Sequence, residues 1–234
     1  MMITFILVLL VILVLCNYEL LLFYYSQTFT EPKTHEVMLN ITKRFKHPIM
    51  IDAGAWLGDT SIQLANANKD LTVYAIEPSS RNCNFIRKRR MEKVHIINKC
   101  LSSNSKYKCK TSDYDIFSNK TYQMGLDGTN STTIDEIWYS TGRGVQLVHL
   151  DVEGHEYECL KGAHNCIINK QTIFVIEILN TNPDKDKIID LFKNLKYTYK
   201  IIPESVGWFG EKGYNYLFIP PMYSTISTGI PSLI

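Results

Sequence analysis

Three short clusters in this 234-residue chain carry residues that could do chemistry. The first is "IDAGAWLGDTS", Ile51 to Ser61, where Asp52, Gly54, Gly58 and Asp59 share one turn. Gly54 would let the backbone approach a ligand, and Gly58 would allow close packing where a helix begins. The turn lacks the G-x-G-x-x-G of a dinucleotide fold and the Gly-Lys-Ser/Thr ending of a phosphate loop. Asp52 and Asp59 would repel a pyrophosphate. They suit a ligand whose near end is cationic, such as the ammonium and sulfonium of S-adenosylmethionine. The second cluster is Glu77-Pro78, where a carboxylate at a strand end can accept both hydroxyls of a ribose. The third is "DVEGHE", which gathers Asp151, Glu153, His155 and Glu156.

These clusters need a frame, and the spacing of apolar residues supplies one. Apolar runs at "PIMIDAG", "LTVYAIEP", "KVHIINKCLS", "VQLVHLDV" and "TIFVIEIL" read as buried strands. Helical spacing follows the first in "DTSIQLANAN" and the second from Ser79 to Met91. It recurs in "STTIDEIWYS", capped at Ser131 or Thr132, in "EGHEYECLKGA", and in "NPDKDKIIDLFKNLKY". Ser103 to Asn130 is an irregular, polar excursion with a hairpin or loops. "TYKII" and "YNYLFIP" close the pattern without a helix between them, which predicts an antiparallel edge hairpin. The alternation predicts a doubly wound α/β fold, a mostly parallel sheet covered on both faces. Ligands in such sheets bind beyond the carboxyl ends of the strands, where the strand order reverses.

Outside that frame the chain begins with an apolar leader. Ile3 to Cys16 is apolar apart from one threonine, and the character resumes in "LLLFYY" up to Tyr25. That is enough for a helix across a hydrocarbon core of about 30 Å. No cationic start or small-residue cleavage site marks it as a signal peptide. The expected organisation is a membrane anchor over 1–26, a polar stem over 27–47, a domain over 48–222 and a tail over 223–234. Lys33, Lys43, Arg44 and Lys46 follow the leader, which favours a cytosolic domain, with the lumenal side as the alternative.

Composition excludes little else. A formal charge of +2 gives no electrostatic case for a nucleic-acid partner. The basic run Arg81 to Arg90 reads as a solvated helix face, against an anionic-substrate or lipid-headgroup role. No cysteine pair has C-x-x-C spacing, and five scattered thiols in the domain argue for a reducing compartment. Sequons at Asn40, Asn119 and Asn130 point the other way.

The clusters, taken in order, resemble the FkbM family of S-adenosylmethionine-dependent methyltransferases. "IDAGAWLGDTS" looks like the family's first turn, "AIEPSSRN" like its E-P-x-x-x-N element, and "NKCLSS" occupies the place of its A-L-S stretch. "STTIDEI" and "FVIEI" also match, and "LVHLDVEGHEYECLKGA" is the most specific block. Trp56 stands where the family generally has Asn, and His149 where Lys is common. The resemblance implies a class I, Rossmann-like methyltransferase with S-adenosyl-L-methionine as cofactor. It places Asp52, Gly54 and Gly58 along the methionine part, Glu77 on the ribose, and Leu101 and Ser102 beside the adenine. Asp151 would face the transferred methyl.

For a hydroxyl acceptor a base must take the proton as the new bond forms. Asp151 is the first candidate for base or acceptor-orienting group and Glu153 the second; Asp151 could instead only bind the cofactor amine. Glu153 and Glu156 could merely complement the first helical turn. His155 reads as a surface residue, His149 as a core histidine, and Glu177 as either acceptor contact or network member. Trp208, Phe209 and Tyr214 read as packing, against a stacking platform for a sugar. Two carboxylates without a third ligand give no metal site. The leading expectation is a membrane-anchored O-methyltransferase acting on a sugar, glycan or other small hydroxyl-bearing acceptor. The alternatives are a degenerate scaffolding module and, disfavoured by the first turn, an oxidoreductase.

Overall fold

The structure is a computed structural model that describes residues 31–110, 123–125, 128–206 and 212–225, with the backbone alone at 123–125 and 205–206. The expected anchor over 1–26, together with Asn119, Trp208 and Phe209, lies outside the described residues. Among the described residues no helix is long and apolar enough to cross a membrane.

Seven strands form the main sheet: β1 (Ile49–Ala53), β2 (Thr72–Ile76), β3 (Val94–Ile97), β8 (Leu147–Leu150), β9 (Ile173–Leu179), β10 (Thr198–Val206) and β11 (Gly213–Ile219). Their order is β10-β11-β9-β8-β1-β2-β3, and every strand runs in one direction except β11. The order reverses between β1 and β8, as the alternation of strands and helices predicts. The hairpin β10–β11 is antiparallel and forms one edge of the sheet, as expected, with its second strand on the inside. β11 inserts between β9 and β10, because Tyr216, Leu217 and Phe218 are apolar on both faces and need cover on both.

Each sheet face carries its own core. Ile49, Ile51 and Ala53 of β1 point one way, against α4 (Ile134–Ser140), α5 (Glu156–Lys161), α6 (His164–Ile168) and α7 (Lys185–Asn194). Met50 points the other way, against α1 (Pro32–Thr42), α2 (Asp59–Ala67) and α3 (Ser80–Lys88). Helix starts follow local chemistry. Ser79 accepts the Asn82 N–H at the head of α3, and Thr133 with Glu136 forms a capping box on α4, one residue beyond the caps expected.

Three readings change. The segment expected as a stem contains α1, whose Val37, Met38 and Ile41 are buried in the second core. Its few apolar positions sit among polar ones, which hid the helical period. "KVHIINKCLS" divides at Asn98, whose side-chain amide donates to the carbonyls of Glu77 and Pro78. Beyond it β4 (Cys100–Leu101) joins β5 (Lys108–Lys110), β6 (Gln123–Gly125) and β7 (Thr129–Thr132) in a small sheet ordered β4-β7-β5-β6. The helix expected over "EGHEYECLKGA" breaks at Gly162, where a Cβ would lie 2.3 Å from the Ser102 carbonyl oxygen. Cys100 and Cys109, which carry no C-x-x-C spacing, form a disulfide, and Cys83, Cys159 and Cys166 are buried.

Candidate active site

At the carboxyl end of β1 the chain turns sharply. Gly54 and Ala55 both donate to the Ile76 carbonyl at 3.1 Å, which ties the turn to β2. Gly54 has φ +80, and a Cβ there would sit 1.7 Å from the Asp151 carbonyl oxygen. Its first job is therefore to let β1 and β8 close on one another. Gly58, at φ +79, begins α2, and a Cβ there would meet Ile86 at 2.9 Å. Trp56 takes φ +46, a region uncommon for a bulky residue, and its N–H donates to Glu77 Oε2 at 2.9 Å.

Glu77 is 6% exposed. Its Oε1 accepts from Ser79 N at 2.8 Å and from Asn82 Nδ2 at 3.3 Å. Burial pushes its carboxyl up to about 7, although these donors and the Trp56 N–H pull against that shift. With the Trp56 N–H on Oε2, that oxygen keeps a lone pair for a hydroxyl.

A row of polar side chains lies on the α1–α2 face of the sheet. Asp52 is fully enclosed, with Oδ1 2.8 Å from His149 Nδ1 and Oδ2 accepting from Ser61 Oγ. Burial alone would lower the His149 pKa, but the Asp52 carboxylate, with Glu31 and Glu177 behind it, raises it overall. Asp151, two residues along β8's direction, shares a hydrogen bond with Glu177. Burial, then Glu177 and Glu153, raises the Asp151 pKa far above the usual carboxylate range. Like charges this close disfavour the ionised form of Asp151. Glu31, just before α1, accepts from Asn215 Nδ2 of β11, and burial and Glu177 lift it to about 7. Asp59 rises to about 6, from burial and then Asp52.

The "DVEGHE" stretch is a turn held from beneath. Glu156 is 2% exposed and accepts from Gly154 N at 2.9 Å and Asn182 Nδ2 at 2.7 Å. Burial raises its pKa to about 7. Glu156 thus shapes the turn rather than lining it. Glu153 is exposed at φ +53, beside Asp151. His155 is not a plain surface residue: its Nε2 lies 3.4 Å from Ser102 Oγ, and burial lowers its pKa. Leu101 and Ser102, at 2% and 1% exposed, fall at the end of β4 on the other side of that contact.

The fold therefore gathers Asp52, Gly54, Glu77 and Asp151 at the ends of β1, β2 and β8, with Gly58 behind them at the head of α2. Leu101 and Ser102 reach the same end through the small sheet. Sequence reasoning missed Glu31 and Asn215. Glu31 precedes a helix-starting proline and reads as an ordinary first-turn acid, while Asn215 sits unmarked in an apolar strand, with its Oδ1 buried and lacking a partner. Only the packing of α1 over β11 joins them. The ensemble is anionic and crowded, and it would gain most from a cation.

A family model described as the methyltransferase FkbM domain matches residues 52–200. Compared with curated proteins, the chain has no match. Among solved structures it is similar to a methyltransferase FkbM from Methylobacillus flagellatus, at 18% identity and TM-score 0.53, covering 74% of this chain and 44% of that one. It is also similar to an S-adenosylmethionine-dependent O-methyltransferase from Thermotoga maritima, at 12% identity and TM-score 0.48, covering 82% of this chain and 66% of that one. A fibrillarin from Aeropyrum pernix with bound S-adenosyl-L-methionine gives 12% identity and TM-score 0.48, over 74% of this chain and 67% of that one. The first likeness supports the fold. This chain spans less than half the length of the Methylobacillus protein.

Proposed function

This chain belongs to the FkbM methyltransferase family, and from that premise we propose that it methylates a hydroxyl of a sugar or other small acceptor at a membrane. Its cofactor is S-adenosyl-L-methionine. The observation that carries the reading is the row of carboxyls at the switch point, with Asp52 buried and the others half-buried. Glu31, Asp52, Asp59, Asp151 and Glu177 surround a place where a cation would relieve their mutual repulsion. That donor set fits the ammonium and sulfonium of the cofactor and would reject a pyrophosphate. Glu77 fits the ribose, since its Oε2 can take a hydroxyl donor.

When bound, the cofactor supplies an electrophilic methyl on a positively charged sulfur. The chain's own part is to hold the acceptor in line behind that methyl, exclude water and manage one proton. Asp52 is held in place by Ser61 and His149, so its carboxyl has no freedom to swing toward an acceptor. In the ligand-free site burial, then Glu177 and Glu153, hold Asp151 toward its protonated form. A neighbouring cation lowers the Asp151 pKa, favours its ionised form as a base, and lets it accept the acceptor's proton. Glu153 stands exposed at the rim, where it can orient an incoming hydroxyl compound. The scaffolding alternative rested on Trp56, but the Trp56 N–H positions Glu77, which supports a turn able to take a ribose.

Calorimetry tests the reading. S-adenosylmethionine and S-adenosylhomocysteine should bind and NAD should not. Glu77→Ala should weaken the binding by about 1–3 kcal/mol, because ribose hydroxyls lose a charged acceptor. Binding of NAD, or no loss in the Glu77 variant, would remove the basis for this site. Methylated glycans and small molecules, profiled in cells with and without the protein, would then identify the acceptor.

A further inference from the structure

We infer that the domain matures inside an oxidising, lumenal compartment, where Cys100 and Cys109 are joined and Asn130 carries an N-linked glycan. The inference goes beyond methyl transfer and does not depend on it. It starts from the small sheet, where β4 and β5 flank β7 and the disulfide reaches across between them. The two Cα atoms are 6.4 Å apart, and both cysteines are fully buried. The separation lies within the range that a disulfide spans. A reducing cytosol would keep these thiols apart, whereas a secretory lumen joins them. Closing the bridge removes two protons and two electrons from the thiols, which pass to a disulfide-carrying oxidoreductase of that compartment.

The other thiols among the described residues fit such a compartment. Cys83, Cys159 and Cys166 are each 0% exposed. Burial raises the pKa of Cys83 and Cys166 to about 12 and also raises that of Cys159 well above the ordinary thiol value. With almost no thiolate and no access, they neither mispair nor need a reductant. An odd number of cysteines thus loses its force as a sign of a reducing environment.

The same sheet presents the acceptor. Asn130 lies on β7 with its side chain exposed, while Ser131 and Thr132 of the sequon are buried at 1% and 3%. The Asn130 carbonyl lies 3.7 Å from Cys100 Sγ, so the bridge braces the strand that displays the asparagine. Asn40 offers less, because it is half-buried on α1 and its Thr42 is enclosed and bonded to the Leu39 carbonyl at 3.0 Å. Glycosylation joins Asn130 Nδ2 to the anomeric carbon of a lipid-pyrophosphate-linked oligosaccharide. A C–N bond forms, the sugar–phosphate C–O bond breaks, the amide loses a proton, and the lipid pyrophosphate leaves. The lysines and arginine after the leader favour the cytosolic side by the positive-inside rule. The bridge and the exposed sequon outweigh them here.

The full-length chain, expressed in cultured animal cells and alkylated before lysis, decides the matter. Enzymatic deglycosylation in heavy-oxygen water should convert Asn130 to an isotope-marked aspartate, read by mass spectrometry. Cys100 and Cys109 should appear as one linked peptide. Asn130→Gln should remove one glycan step on a gel and leave the protein level unchanged, since the residue faces solvent. An unmodified Asn130, glycans confined to Asn40 or Asn119, or alkylated Cys100 and Cys109 would each overturn the inference.

Discussion

Asp151 is held in a state its chemistry does not favour alone. A carboxyl bonded to Glu177 and crowded by Glu153 and Glu31 stabilises neither the empty site nor the ionised form it would need as a base. Replacing it should therefore separate stability from catalysis. Asp151→Asn keeps the shape and removes one like charge. At pH 8 we expect the ligand-free variant to melt no lower than the parent, and turnover to fall by about 10²–10⁴, the usual general-base contribution. Affinity for S-adenosylmethionine should change little, because Asp52, Asp59, Glu31 and Glu77 remain. If affinity collapses while turnover at saturation survives, Asp151 grips the cofactor and is not the base.

At the scale of elements, α1 is the test of where the domain begins. The helix has no side-chain cap of its own; Glu204 of β10 accepts from Lys33 N at 3.1 Å and Thr34 N at 3.0 Å. His35 adds contacts to Gln63 at 3.2 Å and Thr60 at 3.0 Å on α2. Met38, fully buried, should cost about 2–5 kcal/mol on truncation to alanine, measured by denaturant unfolding. A negligible cost would return α1 to the status of a stem. The parallel strands were legible because each is a continuous apolar run, and their order followed from the alternation with helices. The site's first turn, Glu77 and Asp151 were legible for the same reason, being placed at strand ends by that order. α1 and the small sheet were not, since three-residue and four-residue strands such as β5 and β7 carry too few positions to show a period. Glu31 and Asn215 meet only through tertiary packing, which no local spacing reports.

The molecule as a whole should register its buried acids as a dependence on pH. Glu31, Glu77 and Glu156 rise to about 7 and Asp59 to about 6, from unfolded values of 4.5 and 3.8. A group raised on folding binds its proton more tightly in the native state. Its contribution is complete below the unfolded value and is lost as pH climbs through the folded one. The ligand-free protein should thus be more stable at pH 6 than at pH 8, by on the order of 2 kcal/mol. Saturating S-adenosylmethionine should flatten the difference, and its affinity should tighten from pH 6 to pH 8 as protons leave the site. Denaturation curves that are flat or rise with pH in the absence of ligand would contradict the arrangement.

The insertion of β11 also imposes an order of events on synthesis. β9 is made first but pairs on one side with a strand that begins at Gly213. At roughly 5–20 residues per second, the stretch from Leu179 to Gly213 takes about 2–7 s to emerge. Through that interval Ile173–Leu179 offers an unpaired row of N–H and C=O groups on a wholly apolar strand, apart from Glu177. An open edge of that kind recruits other chains. Nascent chains are then at greatest risk of coaggregation just before β11 appears, and a chaperone that binds extended apolar segments would act within that window.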